Sequence, residues 1–145
     1  MALNRELFRL LTGAQQIGLY KQNVGDFQLA LFVQTMTTPS INTTLKVLSL
    51  AENNITNEGL AMLADMLRNN TTLLLLDLSK NKLTDAGMIT LSDALQQNTT
   101  LTHLNLDGNP LLSFAAKQKI LYLINQNKND PESATKRARS AKLQM

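Results

Sequence analysis

The sequence predicts an α/β solenoid, with short parallel strands on a concave side, helices on a convex side and one leucine core between them. Three observations carry this. Twenty-nine of the 145 residues are leucine, whereas tryptophan and cysteine are absent, and a chain so rich in one aliphatic residue repeats a single packing solution. The tripeptide Asn-Thr-Thr recurs at 42–44, 70–72 and 98–100, 28 residues apart each time. Aligned without gaps, 45–72 and 73–100 share twelve identities, among them Leu48/Leu76, Leu50/Leu78, Asn53/Asn81, Gly59/Gly87 and Asp65/Asp93. A fixed period of this length is the signature of stacked units.

Within each unit the apolar period changes, and the change locates the elements. Leu48 and Leu50, Leu76 and Leu78, and Leu104 and Leu106 alternate with period two, which fits a very short strand. Beyond the asparagine, Leu60, Leu63 and Leu67, then Met88, Leu91 and Leu95, fall on one face of a helix of about three turns. Thr56 and Thr84 precede acidic first turns and suit the N-cap. Upstream, a shift of 31 residues aligns Ile17 with Leu48 and Phe32 with Leu63, so 14–44 reads as a degenerate repeat, with Gln22 replacing the asparagine, Gln28 the glycine, and extra residues around Pro39. Leu3, Leu7, Leu10 and Leu11 have helical spacing and suit a cap over that end. Downstream, 101–127 opens as a repeat and departs at Pro110; Phe114, Ile120, Leu121 and Ile124 read as the apolar face of a closing helix. The expected organisation is therefore a repeat domain 1–127 (cap 1–13, repeats 14–44, 45–72, 73–100 and 101–127) and a basic tail 128–145, with helix available from Asp130-Pro131.

The string Leu-x-x-Leu-x-Leu-x-x-Asn-x-(Ile/Leu)-x-x-x-Gly-x-x-x-Leu-x-x-x-Leu, met at 45–67 and 73–95 and in its strand half at 101–111, resembles the leucine-rich repeat of ribonuclease-inhibitor type. Similar units occur in NOD-like receptors, tropomodulins and bacterial effectors. The resemblance implies that Asn53, Asn81 and Asn109 form a ladder bonding the backbone of adjacent turns. It implies a fold and leaves function open.

Catalysis has little support. Without cysteine there is no thiol nucleophile, disulfide or Cys-ligated metal, and a single histidine, His103, builds no two-His site. His103 with Asp107 or Asp77 is the one arrangement a hydrolase would use; a partly exposed strand residue is the simpler reading. Asp65 and Asp93 hold equivalent repeat positions and read as solvated helix faces. Neither cofactor nor metal is expected. Asn42, Asn54, Asn69, Asn70 and Asn98 match the glycosylation acceptor pattern, but the repeat itself accounts for three of them. No apolar run reaches the length of a membrane span, and no secretory signal is expected from the charged start.

Side chains alternating with the buried leucines form the outward row of the concave face. It comprises Gln16, Gly18 and Tyr20; Val47, Ser49 and Ala51; Leu75, Asp77 and Ser79; and His103, Asn105 and Asp107. This mixture, without lysine or arginine, suits a protein partner and not nucleic acid. The formal charge is +3, yet residues 1–127 hold nine basic and nine acidic side chains. The excess lies in Lys128, Lys136, Arg137, Arg139 and Lys142 against Asp130 and Glu132. The tail reads as a solubilising segment, a localisation or export signal, or a dock for an acidic partner. The function expected is a non-catalytic, monomeric, cytoplasmic protein-binding module using Tyr20, Val47, Ser49, Leu75, Asp77, Ser79, His103, Asn105 and Asp107. The 25 asparagine plus glutamine residues and a chain that looks complete from Met1 suggest a bacterial effector acting on a host protein in its cytosol. The alternative is a regulatory or targeting subunit of an enzyme complex, docked through Lys136, Arg137, Arg139 and Lys142.

Overall fold

The computed structural model describes residues 13–36 and 44–144. The leucines expected in a cap at 3–11, the extra residues of the first repeat around Pro39 and the Asn42 triplet lie largely outside them. In order the elements are β1 (Gln16–Gly18), α1 (Asp26–Met36), β2 (Val47–Ser49), α2 (Asn57–Asn69), β3 (Leu75–Asp77), α3 (Asp85–Gln97), β4 (His103–Asn105), α4 (Phe114–Asn129) and α5 (Pro131–Leu143). The strands form one parallel sheet in chain order, in the register Ile17, Leu48, Leu76, Leu104. Helices α1 to α4 pack successively beside one another, and α5 lies on α3 and α4. This is the α/β repeat architecture that the change of period predicts.

The core runs unbroken between the layers. Leu48, Leu50, Leu76 and Leu78 from the strand segments meet Leu60, Leu63, Leu67, Leu91 and Leu95 from the helices, all fully buried; each is worth roughly 1.5–3 kcal/mol of burial. Ala51, expected in the outward row, is buried instead. Phe114 is 76% exposed. The buried face of α4 is Ile120, Leu123, Ile124 and Asn127, and at 100° per residue Phe114 and Leu121 lie roughly 110–130° away from it.

Three rows of polar side chains stitch one repeat to the next. In the first, Asn53 donates to Leu19 O and Leu50 O and accepts from Gln22 N and Val24 N. Asn81 donates to Leu50 O and Leu78 O and accepts from Ile55 N, and Asn109 donates to Leu78 O and Leu106 O and accepts from Leu83 N. Leu50 O and Leu78 O thus each bridge two successive asparagines.

The Asn-Thr-Thr triplet supplies a second row, which the sequence displayed without disclosing its purpose. Asn70 and Asn98 end α2 and α3; their Oδ1 atoms accept from the amides two and three residues on, turning the chain toward the next strand. Asn98 Nδ2 reaches back to Leu67 O and Asn70 O, and Asn127 repeats this toward Asn98 O and Leu101 O. All three are at least 96% buried.

The third row lies at the helix starts. Asp26 accepts from Thr56 N and the Thr56 hydroxyl, Asn57 bonds Thr84 N and its hydroxyl oxygen, and Asp85 accepts from Ser113 N. These contacts explain the repeat glycine, because a Cβ on Gly87 would strike Asn57, and one on Gly59 would strike Asp26. They also explain why Thr56 caps its helix through Glu58 N while Thr84 makes no side-chain cap bond. An aspartate takes the hydroxyl's proton and leaves its lone pairs free, whereas the Asn57 amide donates into them.

Asp85 gives the row a pH dependence. The Ser113 backbone N–H, then its hydroxyl, hold the Asp85 carboxyl below the usual carboxylate range. A lowered folded value means that the contribution is complete above the unfolded value of about 3.9 and is lost as pH falls through the folded value. The Ser113 amide resonance is expected to move through that acid window, and Asp85→Asn, which keeps an acceptor, should abolish the step.

Candidate functional site

The outward row forms three columns across the sheet. Gln16, Val47, Leu75 and His103 are in register, as are Gly18, Ser49, Asp77 and Asn105; Tyr20, Ser79 and Asp107 follow at the strand ends. Four strands at ~4.8 Å spacing make a face about 15 Å across, room for one helix or one extended segment.

The two halves of this face differ. On the C-terminal side Leu75, Asp77, His103 and Asn105 join Leu121, Asn125 and Lys128 of α4 around a hollow of about 400 Å³. Its floor is apolar (Leu76, Leu104 and Ile124) and its rim carries an acid, a base, an imidazole and amides. Tyr20, Val47 and Ser49 lie outside it. Sequence reasoning missed the α4 wall, although Leu121, Asn125 and Lys128 recur at i, i+4 and i+7, a separate stripe from the buried one. Lys128 was expected in the tail, yet α4 runs through it to Asn129.

Polar groups at the face are turned toward backbone or neighbours. Asp77 Oδ1 accepts from Ser79 N at 2.9 Å, and Asn105 Oδ1 from Asp107 N at 3.1 Å. His103 Nδ1 lies 2.9 Å from Thr102 Oγ1; Asp107 pairs with Lys117. Along the rim Lys21, Glu52, Lys80 and Gly108 hold the same left-handed position in successive repeats. Lys80 donates to Glu52 at 2.6 Å. That bond, helped by Tyr20 and Lys21, holds the Glu52 carboxyl below its usual range. Among the described residues no group of three or more histidines and acids is close enough to hold a metal.

One unit, strand then turn then helix, is therefore laid down four times about a single core, with a ladder asparagine at the turn in the last three. The leucine-rich repeat model matches residues 42–64, 69–92 and 97–112. The chain carries leucine-rich repeats. Among solved structures this leucine-rich repeat chain is similar to "Leiomodin-1 Actin-Binding Site 2", with TM-score 0.69 and 18% identity over 100% of this chain and 99% of that one. It is similar also to the tropomodulin C-terminal domain of Caenorhabditis elegans, with TM-score 0.53 and 12% identity over 97% and 96%. At these identities the likeness is one of fold. No curated protein matches the sequence.

In this leucine-rich repeat fold the four tail cations part company. Asp130 caps α5 through Ser133 N, with Pro131 in the first turn. Arg137 turns inward, donating to Leu95 O, Gln96 O and Asn98 O at the end of α3 and to Asn127 Oδ1 and Gln126 Oε1 on α4. Desolvation lowers its pKa. Lys136 pairs with Glu132, while Arg139 and Lys142 remain exposed on another side of the helix. Arg137 therefore has a structural post, set by carbonyls about 40 residues upstream. No described helix is long and apolar enough to cross a membrane.

Proposed function

We propose that this protein is a non-catalytic binding module that holds a protein partner on its concave face. The observation that carries the reading is the hollow shared by Leu75, Asp77, His103 and Asn105 with Leu121, Asn125 and Lys128. An apolar floor with a polar rim is the arrangement of a specific contact. The regular repeats fix these side chains before a partner arrives, so little entropy is lost on docking. Tyr20, Val47, Ser49, Ser79 and Asp107 extend the contact across the sheet. The cytoplasm is the proposed compartment, and the amide-rich composition favours an effector acting on a host protein.

Purified actin is the defined first probe, because one structural neighbour is titled an actin-binding site. Asp77→Arg and Asn105→Arg place a cation where the partner would seat and are expected to weaken capture at least about tenfold. Retention of actin, or of any partner captured by the wild type, at unchanged strength by both variants would remove the concave face from consideration.

A second reading, docking through the basic C-terminal helix, is favoured by Arg139 and Lys142. Neither has a carboxylate partner among the described residues.

A further inference from the structure

A groove of about 310 Å³ lies between α5 and the turns that follow α2 and α3. One wall is a stripe of α5, Thr135, Ala138, Arg139 and Lys142, at helical spacing. The other is formed by Arg68, Asn69, Thr71, Gln97 and Thr99. No carboxylate lines it. Arg68 is paired with Asp65, and Arg139 and Lys142 have no ion pair among the described residues. The Thr135 hydroxyl donates to Pro131 O, and Thr71 and Thr99 stand on the wall opposite, so the groove offers two unspent cations facing hydroxyl groups.

Its dimensions select among anions. Residues 135 to 142 of a helix rise about 10 Å, the reach of about three residues of extended chain. Arg139 and Lys142 are exposed and one turn apart, so their charge is spread along the groove. A compact anion such as phosphate needs donors converging on a point; carboxylates spaced along a peptide match donors spaced along a wall. Arg137 fixes the wall, since its bonds to the end of α3 hold this stripe opposite Thr99 and Thr71.

We propose that the groove between α5 and the turns after α2 and α3 binds a short, extended acidic segment of a protein partner. This site is separate from the concave face. It adds Arg68, Thr71 and Thr99 to the basic C-terminal surface and removes Arg137 from it.

The test uses the full chain and a labelled peptide carrying four consecutive glutamates, with the glutamine version and inorganic phosphate as further arms. Binding is followed by fluorescence anisotropy and by amide shifts. The glutamate peptide is expected to bind and to move the amides of Thr71, Thr99 and 135–142. The double variant Arg139→Glu, Lys142→Glu should weaken it at least tenfold, as should raising salt from about 0.05 M to 0.5 M, where exposed charges are screened. Asp77→Arg should leave it unchanged, which separates this site from the concave one. Both exchanged residues are exposed, and an unchanged circular dichroism spectrum will show that the variant folds. Equal binding of the glutamine peptide, shifts centred elsewhere, phosphate competing as strongly as the peptide, or undiminished binding by the double variant would each overturn the proposal.

Discussion

Replacing Asn81 with alanine is expected to cost about 3–5 kcal/mol in denaturant unfolding. The figure follows from what the amide does. Its Oδ1 is the partner of the buried Ile55 N–H, and a buried donor left without one costs about 1–3 kcal/mol. Its Nδ2 contributes to Leu50 O and Leu78 O, each bond worth about 1 kcal/mol net. Those carbonyls retain Asn53 and Asn109, so they lose a bond without being orphaned. The space left by the amide adds a cavity term. Asn109→Ala removes a similar set at the C-terminal side and should be comparable or larger, because no fourth asparagine bonds Leu106 O once Asn109 is gone. Asn54, exposed and bonded to Asn23, is the control, and its alanine variant should fall within about 0.5 kcal/mol of wild type. A loss below about 1.5 kcal/mol for Asn81→Ala would mean that water replaces the amide and that the leucine layers alone hold the repeats in register.

How far the sequence discloses this molecule depends on the range of the physics involved. The strand leucines and the helix leucines obey periods of 2 and 3.6 within a single unit, and the unit recurs at 28. Fold, strand register and the outward row are therefore written locally and repeatedly. Gly59 and Gly87 are visible as part of the pattern, but their reason lies in the preceding helix, in Asp26 and Asn57. The Asn-Thr-Thr triplet is just as visible, and its turn-closing use of Asn70 and Asn98 follows from side-chain to backbone bonding that these residues make in many turns. The α4 wall of the hollow was harder to see. Without a following repeat, the phase of that helix is decided by what it covers, and Phe114 and Leu121 are as apolar as the residues it buries. Arg137 is the extreme case. As one cation among four in a polar helix it has no distinguishing mark in sequence; only the free carbonyls at the end of α3 single it out.

That post makes Arg137 decisive for the C-terminal helix. In α5 only Ala134 and Ala138 are buried, and their methyls offer about 0.8 kcal/mol apiece. A 13-residue helix is marginal in water by itself, and ordering its backbone costs about 1–2 kcal/mol per residue. Docking therefore rests on the guanidinium, whose bonds to Leu95 O, Asn98 O and Asn127 Oδ1 measure 3.0, 3.1 and 2.8 Å. Bonds from a charged donor are worth about 1.5–3 kcal/mol each, so losing two of them already changes the docking equilibrium about a hundredfold. Arg137→Ala is expected to strip hydrogen-exchange protection from 131–143 and to open Lys136 and Arg139 to trypsin at low enzyme concentration. Protection of 45–112 should persist, because the leucine core there and the bonds made by Asn53, Asn70, Asn81 and Asn109 do not involve α5. Arg137→Lys should rescue little: one ammonium cannot reach carbonyls on α3 and an amide on α4 together, as the planar fork does. If α5 keeps its protection in both variants, the alanine contacts and the Asp130 cap hold the helix, and Arg137 only adjusts it.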